Sequence, residues 1–419
     1  MHKQEPFTLP ARQKGIVLLV IIIAIIMAFA AYMFSDISIN QVKTNNKEIT
    51  VQALKKAKDA LLAYAVSFPE ITLADRGPGY LPCPDLDNNG KSTANDCKTL
   101  GVPNVGRLPW VTLGIDKLVD GTGESLWYAV SENYDYSNSP TINKINTGTT
   151  GNITVRDQSN TIIYNGTTID AAVVVIIAPG KAITRDDGTV QNRSAANVNV
   201  AAHYLDIADT QDNATFQQSD ANDGFIQGEI LDAAGNVIVN DQIMVITYDD
   251  IMEQVHKRVA QEIGNALNSY KTACGGYPEA SSFDSTKGNG LFISDPGVLE
   301  GHIPVDSPDW GPPNPPANPT PCADGVLPSW VEAEEWHKVT YYEYAASTPC
   351  DTANCLSVPP DINIDALIVF AGRDTTGGNR DSALTSDYFE GENDDSNPTS
   401  DELIYDDTQA EDYVWVIAP

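Results

Sequence analysis

Basic residues are scarce in this chain: 25 Lys and Arg stand against 57 Asp and Glu, a formal net charge of −32. A nucleic-acid-binding surface needs the opposite sign, so that class is set aside. Histidine is rarer still, and the five present, His2, His203, His256, His302 and His337, form no H-E-x-x-H spacing. No G-x-S-x-G, P-loop or dinucleotide fingerprint occurs. The sequence thus offers no catalytic constellation, and no enzyme is expected. His256 falls on the polar side of its helical stretch and is expected to be exposed. Trp110, Trp127, Trp330 and Tyr344 read as core residues, not ligand platforms. After Arg380 there is no Lys or Arg, while acidic residues accumulate from Asp381 to Asp412, the pattern of a solvated acidic face.

What is abundant is apolar sequence near the start. Ile16 to Phe34 carries no charge, and as a helix its 19 residues would be about 28 Å long, close to the thickness of a bilayer core. Lys3, Arg12 and Lys14 precede it and Asp36 follows. The positive-inside rule then predicts a cytoplasmic leader over 1–15, a transmembrane helix over 16–35, and everything beyond outside. The expected placement is single-pass in the inner membrane, with the head in the periplasm or at the cell surface. Leu54, Ala57, Leu61 and Ala65 recur at helical spacing beyond it. They predict either one long helix or a second helix after a break around Asn40 to Thr44, stopped in both cases at Ser67-Phe68-Pro69.

Arg12-Gln13-Lys14-Gly15 followed by this apolar run resembles the start of a type IV prepilin or a type II secretion pseudopilin. The resemblance implies cleavage after Gly15, with Ile16 as the first mature residue. It also implies that the apolar helix packs among the helices of other pilin or pseudopilin subunits. The family usually carries Glu at the fifth mature position, where this chain has Val20. A buried carboxylate persists in an apolar bundle only where it has a partner. Its absence resembles minor subunits thought to sit at a filament tip.

The remainder reads as two copies of one unit. The first runs from the helix Thr50 to Ser67 through Tyr80-Leu81-Pro82-Cys83, Gly106-Arg107-Leu108-Pro109-Trp110 and Leu126-Trp127-Tyr128-Ala129-Val130 to strands over 171–178 and 242–247. The second runs from the helix Asp250 to Lys271 through Cys274-Gly275-Gly276-Tyr277-Pro278, Gly325-Val326-Leu327-Pro328 and Thr340-Tyr341-Tyr342 to strands over 366–370 and 413–417. The predicted units are 36–248 and 249–419. The predicted class is α+β: a long N-terminal transmembrane helix, then two tandem pilin-head-like units, each a helix packed on an antiparallel sheet. The G-x-L-P-W segment, together with Tyr388-Phe389-Glu390-Gly391-Glu392-Asn393, resembles the globular part of exported pseudopilin-like proteins.

Asp85-Leu86-Asp87-Asn88-Asn89-Gly90 matches the opening of a calcium loop. Counted on, the candidate ligands are Asp85, Asp87, Asn89, Lys91 through its carbonyl, Thr93 and Asp96, with Asp96 where a bidentate Glu usually stands. The other reading is an ordinary Asx-rich turn. The six cysteines are an even set without a C-x-x-C pair, which suggests disulfides in an exported chain. Cys83 and Cys97 bracket the acidic loop, Cys274 and Cys322 are their counterparts by the repeat, and Cys350 with Cys355 would close a short local loop. Free buried thiols are the alternative. The Pro-rich stretch Gly311 to Pro316 is a stiff insertion, either a partner contact or a passive surface loop. The functional expectation is a minor pilin-like or pseudopilin-like subunit of a type IV pilus or type II secretion-type filament. The alternative is a membrane-tethered surface binding protein or adhesin that does not polymerise.

Overall fold

A computed structural model describes residues 13–71, 76–93, 97, 105–136, 144–282, 297–305, 326–347, 349–350, 355–373, 405 and 412–418. One unbroken helix, α1 (Gln13–Val66), opens it, with no interruption between residues 40 and 44. Its 54 residues extend about 81 Å at 1.5 Å per residue. Thr50 is the first described buried residue along it, and from there Ala53, Leu54, Ala57, Leu61, Tyr64 and Ala65 line the face turned to the core. Before Thr50 the described side chains lie open except for the half-buried Asn46; Ile25 is 63% and Met27 62% exposed. A one-turn helix, α2 (Phe68–Ile71), follows and buries Phe68.

Two four-stranded antiparallel sheets carry the rest of the core. The first has the order β1 (Val105–Arg107), β2 (Trp127–Val130), β5 (Val174–Ala178) and β11 (Gln242–Ile246). The second has the order β12 (Glu300–His302), β13 (Thr340–Tyr344), β16 (Ala366–Phe370) and β17 (Tyr413–Ala418). Between β11 and β12 runs α3 (Tyr248–Cys274). Its start is fixed by a capping box in which Thr247 and Asp250 satisfy each other's backbone N–H groups, and its end by Gly275 at φ 80°. Helix α1 packs on α3, β5 and β11, while α3 packs on β17. One continuous apolar cluster joins α1, α3 and both sheets, from Leu61 and Tyr128 to Tyr342 and Phe370.

The first sheet is buried on both faces, which explains the uninterrupted apolar run of β5. Tyr128, Val130, Val174 and Ile176 belong to the main cluster, whereas the alternate residues Trp127, Ala129, Val175 and Ile177 belong to a second. That second cluster is capped by a long insertion of short ribbons. Strands β3 (Val155–Arg156), β4 (Ile162–Tyr164) and β8 (Phe225–Ile226) form a three-stranded sheet whose β3–β8 pair is parallel. Strands β6 (Ile207–Ala208) and β7 (Gln211–Asp212) form one hairpin, and β9 (Ile230–Leu231) and β10 (Val237–Val239) another. In the later part of the chain, β14 (Leu356–Val358) pairs with β15 (Asp361–Ile364).

The expected class needs correction on two counts. The architecture is mixed α/β with mostly small antiparallel sheets. Ribbons of two or three residues are too short to show a period of two, so the sequence pattern resolved only the long central strands. The expected transmembrane helix over 16–35 is corrected as well. Among the described residues no helix is long and apolar enough to cross a membrane. The single-pass inner-membrane placement loses its support with it.

Candidate functional site

The acidic loop predicted from the sequence is held against the first sheet. Asp85 and Arg107 exchange backbone hydrogen bonds, the Asp85 N–H donating to Arg107 O at 2.9 Å and the Arg107 N–H to Asp85 O at 2.8 Å. A disulfide between Cys83 and Cys97, with Cα atoms 5.4 Å apart, closes the surrounding segment. Within it the Asp85 carboxylate is buried at 1% exposure. Its Oδ1 accepts from the N–H groups of Asp87 (3.1 Å) and Asn89 (3.3 Å), and its Oδ2 from Gly90 (2.6 Å). Burial raises the Asp85 pKa, and backbone N–H groups of the loop, that of Gly90 foremost, oppose the rise.

The next residues repeat the device one step further out. Asp87 Oδ1 accepts from the Asn89 N–H at 3.1 Å, its Oδ2 accepts from Asn89 Nδ2 at 2.7 Å, and Asn89 Oδ1 accepts from the Lys91 N–H at 2.7 Å. Gly90, at φ 81°, lets the chain turn under Trp110, where an added Cβ would stand 2.5 Å from the indole. Its carbonyl accepts from Val111 (2.7 Å) and Thr112 (3.2 Å). The donor set of Asp85, Asp87 and Asn89 is the hard-oxygen chemistry calcium takes. In this structure those oxygens already accept N–H groups, the geometry of an Asx-turn ladder. Lys91 and Thr93 continue the loop, while Asp96 lies outside the described residues. Among the described residues no group of three or more His, Cys, Asp or Glu is arranged to hold a metal ion.

The other sequence-predicted residues fall as follows. Gly15 and Ile16 lie within α1. Cys350 and Cys355 are joined, with Cα atoms 5.1 Å apart. Cys274 is disulfide-bonded, and Cys322 lies outside the described residues, as do the segments 306–316 and 388–393. His256 is not exposed: at 7% exposure it stacks on Phe370 and meets Trp336 and Tyr413. Burial in this aromatic nest lowers its pKa to about 3. The polar-side reading failed because β16, β17 and the segment around Trp336 cover a second side of α3.

Three polar constellations had no sequence signal. Glu334 sits fully buried and accepts from the Tyr80 hydroxyl, the Ile145 N–H and Arg76. Asp206 and Asp241, both at 0% exposure, form a buried carboxyl pair. The Asp206 N–H and Asn213 Nδ2 donate to Asp241 Oδ2, each at 2.8 Å, while Gln191 and the N–H groups of Asn240 and Asp241 donate to Asp206. Burial raises the Asp206 pKa to about 6, and burial with Asp206 alongside holds Asp241 well above the ordinary range. Arg107, at 4% exposure, lies between the rings of Trp127 and Tyr204, 4.1 and 4.0 Å from their centroids. Its guanidinium donates to the Ser125 and Val198 carbonyls, each at 3.0 Å.

Comparison with family models, with curated proteins and with solved structures finds no match.

Proposed function

We propose that this chain is a minor pilin-like or pseudopilin-like subunit that assembles with like subunits through the first part of α1 and performs no catalysis. The observation that supports the reading is the division of α1. Its later part is buried in the head from Thr50 onward, while Ile21, Ile22, Ile23, Ile25 and Met27 stand 45–63% exposed. These five cover more than one side of the helix, since neighbours are 100° apart. A helix apolar all round is stable in water only when other apolar surface covers it, and a bundle of the same segment from neighbouring subunits supplies that cover. The prepilin-like Arg12-Gln13-Lys14-Gly15 stands directly before this segment.

Calcium belongs to this proposal as a support of the loop at Asp85, not as a reagent. The deciding experiment is the N-terminal sequence of the mature protein from producing cells. Ile16 as first residue is expected; a mature chain that retains Met1 would sink the reading. Single cysteines at Ile25 and Met27 are expected to give cross-linked dimers with other subunits of the filament.

A further inference from the structure

The acidic loop contains Asn89-Gly90, one of three Asn-Gly dipeptides in the chain with Asn165-Gly166 and Asn289-Gly290. The last of these lies outside the described residues. An Asn-Gly dipeptide carries a reaction within itself. The glycine nitrogen attacks the Cγ of the preceding asparagine, since glycine has no side chain to obstruct the approach. A new N–Cγ bond closes a succinimide, the Cγ–Nδ2 bond breaks, and the side-chain nitrogen leaves as ammonia with the proton of the glycine N–H. Water then opens the ring, at one carbonyl to aspartate and at the other to isoaspartate. No oxidant or reductant takes part, and water is the only co-reactant.

Asn89 is exposed, so water reaches it, but its nucleophile is withheld. The Gly90 N–H donates to Oδ2 of the buried Asp85 carboxylate at 2.6 Å. That bond ties up the proton the nitrogen must release, and an anion developing beside a carboxylate is disfavoured. The peptide cannot swing toward Cγ either. The buried Gly90 lies under Trp110, and its carbonyl accepts from Val111 at 2.7 Å and Thr112 at 3.2 Å. The asparagine side chain is held as well, with Nδ2 donating to Asp87 and Oδ1 accepting from the Lys91 N–H, each at 2.7 Å. At Asn165-Gly166 the glycine N–H donates to a neutral group, Thr154 Oγ1, at 2.9 Å.

We propose that Asn89 is a gated modification site: Asp85 withholds the Gly90 nitrogen while the loop is closed, and deamidation proceeds when the loop opens. The product changes the loop that made it. Aspartate adds a carboxylate beside Asp85 and Asp87 in the calcium-type donor set. Isoaspartate lengthens the backbone before Gly90 by one methylene, which puts the Gly90 N–H out of register with Asp85. The proposal is independent of filament assembly.

The full chain is incubated for weeks at mildly alkaline pH, folded and in guanidinium chloride with its disulfides intact. Conversion at each Asn-Gly is read by peptide mass mapping, and isoaspartate by enzymatic methylation. The folded protein is expected to convert Asn89 at least about tenfold more slowly than the unfolded chain. Asp85→Ala is expected to speed folded-state conversion at Asn89 at least about tenfold relative to Asn165, which reports general loosening in the same molecule. A smaller difference in either comparison overturns the proposal, as does an Asp85→Ala effect that Asn165 shares equally.

Discussion

The Tyr80 hydroxyl lies 3.0 and 2.9 Å from the two carboxylate oxygens of Glu334, a residue 254 positions further along the chain. Arg76 donates to the Tyr80 oxygen at 2.7 Å, the Ile145 N–H donates to Glu334 Oε2 at 2.9 Å, and Asn146 Nδ2 donates to the Glu334 carbonyl at 2.9 Å. Segments that follow α1 are thereby tied to the segment that precedes β13. Burial raises the Glu334 pKa, with the Ile145 N–H, Tyr80 and Arg76 opposing.

Tyr80→Phe removes one donor from a carboxylate that stays buried. It is expected to destabilise the protein by about 1.5–3 kcal/mol, read from urea unfolding. Lys144→Ala, which breaks the exposed pair to Glu335, is expected to cost under about 1 kcal/mol. Equal effects would show that burial at Glu334 contributes nothing.

The Asp206–Asp241 pair sets a pH dependence of one sign. Both native pKa values are raised, Asp206 to about 6. The native state therefore holds protons that the unfolded chain releases near its ordinary carboxylate pKa, and stability falls as pH rises from about 4 through 6. Asp241→Asn removes the like charge. Its stability, measured from pH 4 to pH 8, is expected to decline less than that of the unaltered protein by on the order of 2 kcal/mol. Parallel curves would refute the assignment.

His256 works in the opposite direction. Its native pKa is lowered to about 3, so the unfolded chain takes up a proton near pH 6.5 that the folded chain refuses. Stability is therefore lost as pH falls below about 6.5. Leu in its place keeps the apolar packing and titrates nothing. His256→Leu is expected to recover about 2 kcal/mol at pH 5 relative to its effect at pH 8, measured by denaturant unfolding at both.

Two substitutions in the acidic loop separate its calcium role from its turn role. Calcium at millimolar concentration is expected to raise the melting temperature of the unaltered protein and not that of Asp87→Ala. Asp85→Ala is expected to lower the melting temperature without calcium, because the N–H groups of Asp87, Asn89 and Gly90 lose their acceptor, at a cost of about 1–3 kcal/mol. No calcium shift in the unaltered protein would leave the loop a turn only.

Much of this loop and the helices was legible in the chain itself, for a local reason. Asp85 to Gly90 orders itself through bonds spanning at most five residues, and α3 carries its own signals in Thr247, Asp250 and Gly275. The strands over 366–370 and 174–178 were marked by unbroken β-branched and apolar runs. The small ribbons of the insertion were not, because Val155-Arg156 and Ile207-Ala208 are too short to carry a period.

Sequence by itself therefore determined the charge, the acidic turn, the helix α3 and the apolar stretch before Thr50, all properties of residues close together in the chain. Only the tertiary structure decided that His256 is enclosed by Trp336, Phe370 and Tyr413, that Arg107 lies between Trp127 and Tyr204, and that Glu334 answers Tyr80. It also decided that Asp206 and Asp241 share one buried site. Burial and pairing of a polar group depend on what distant segments bring to it, and no local pattern of residues encodes that.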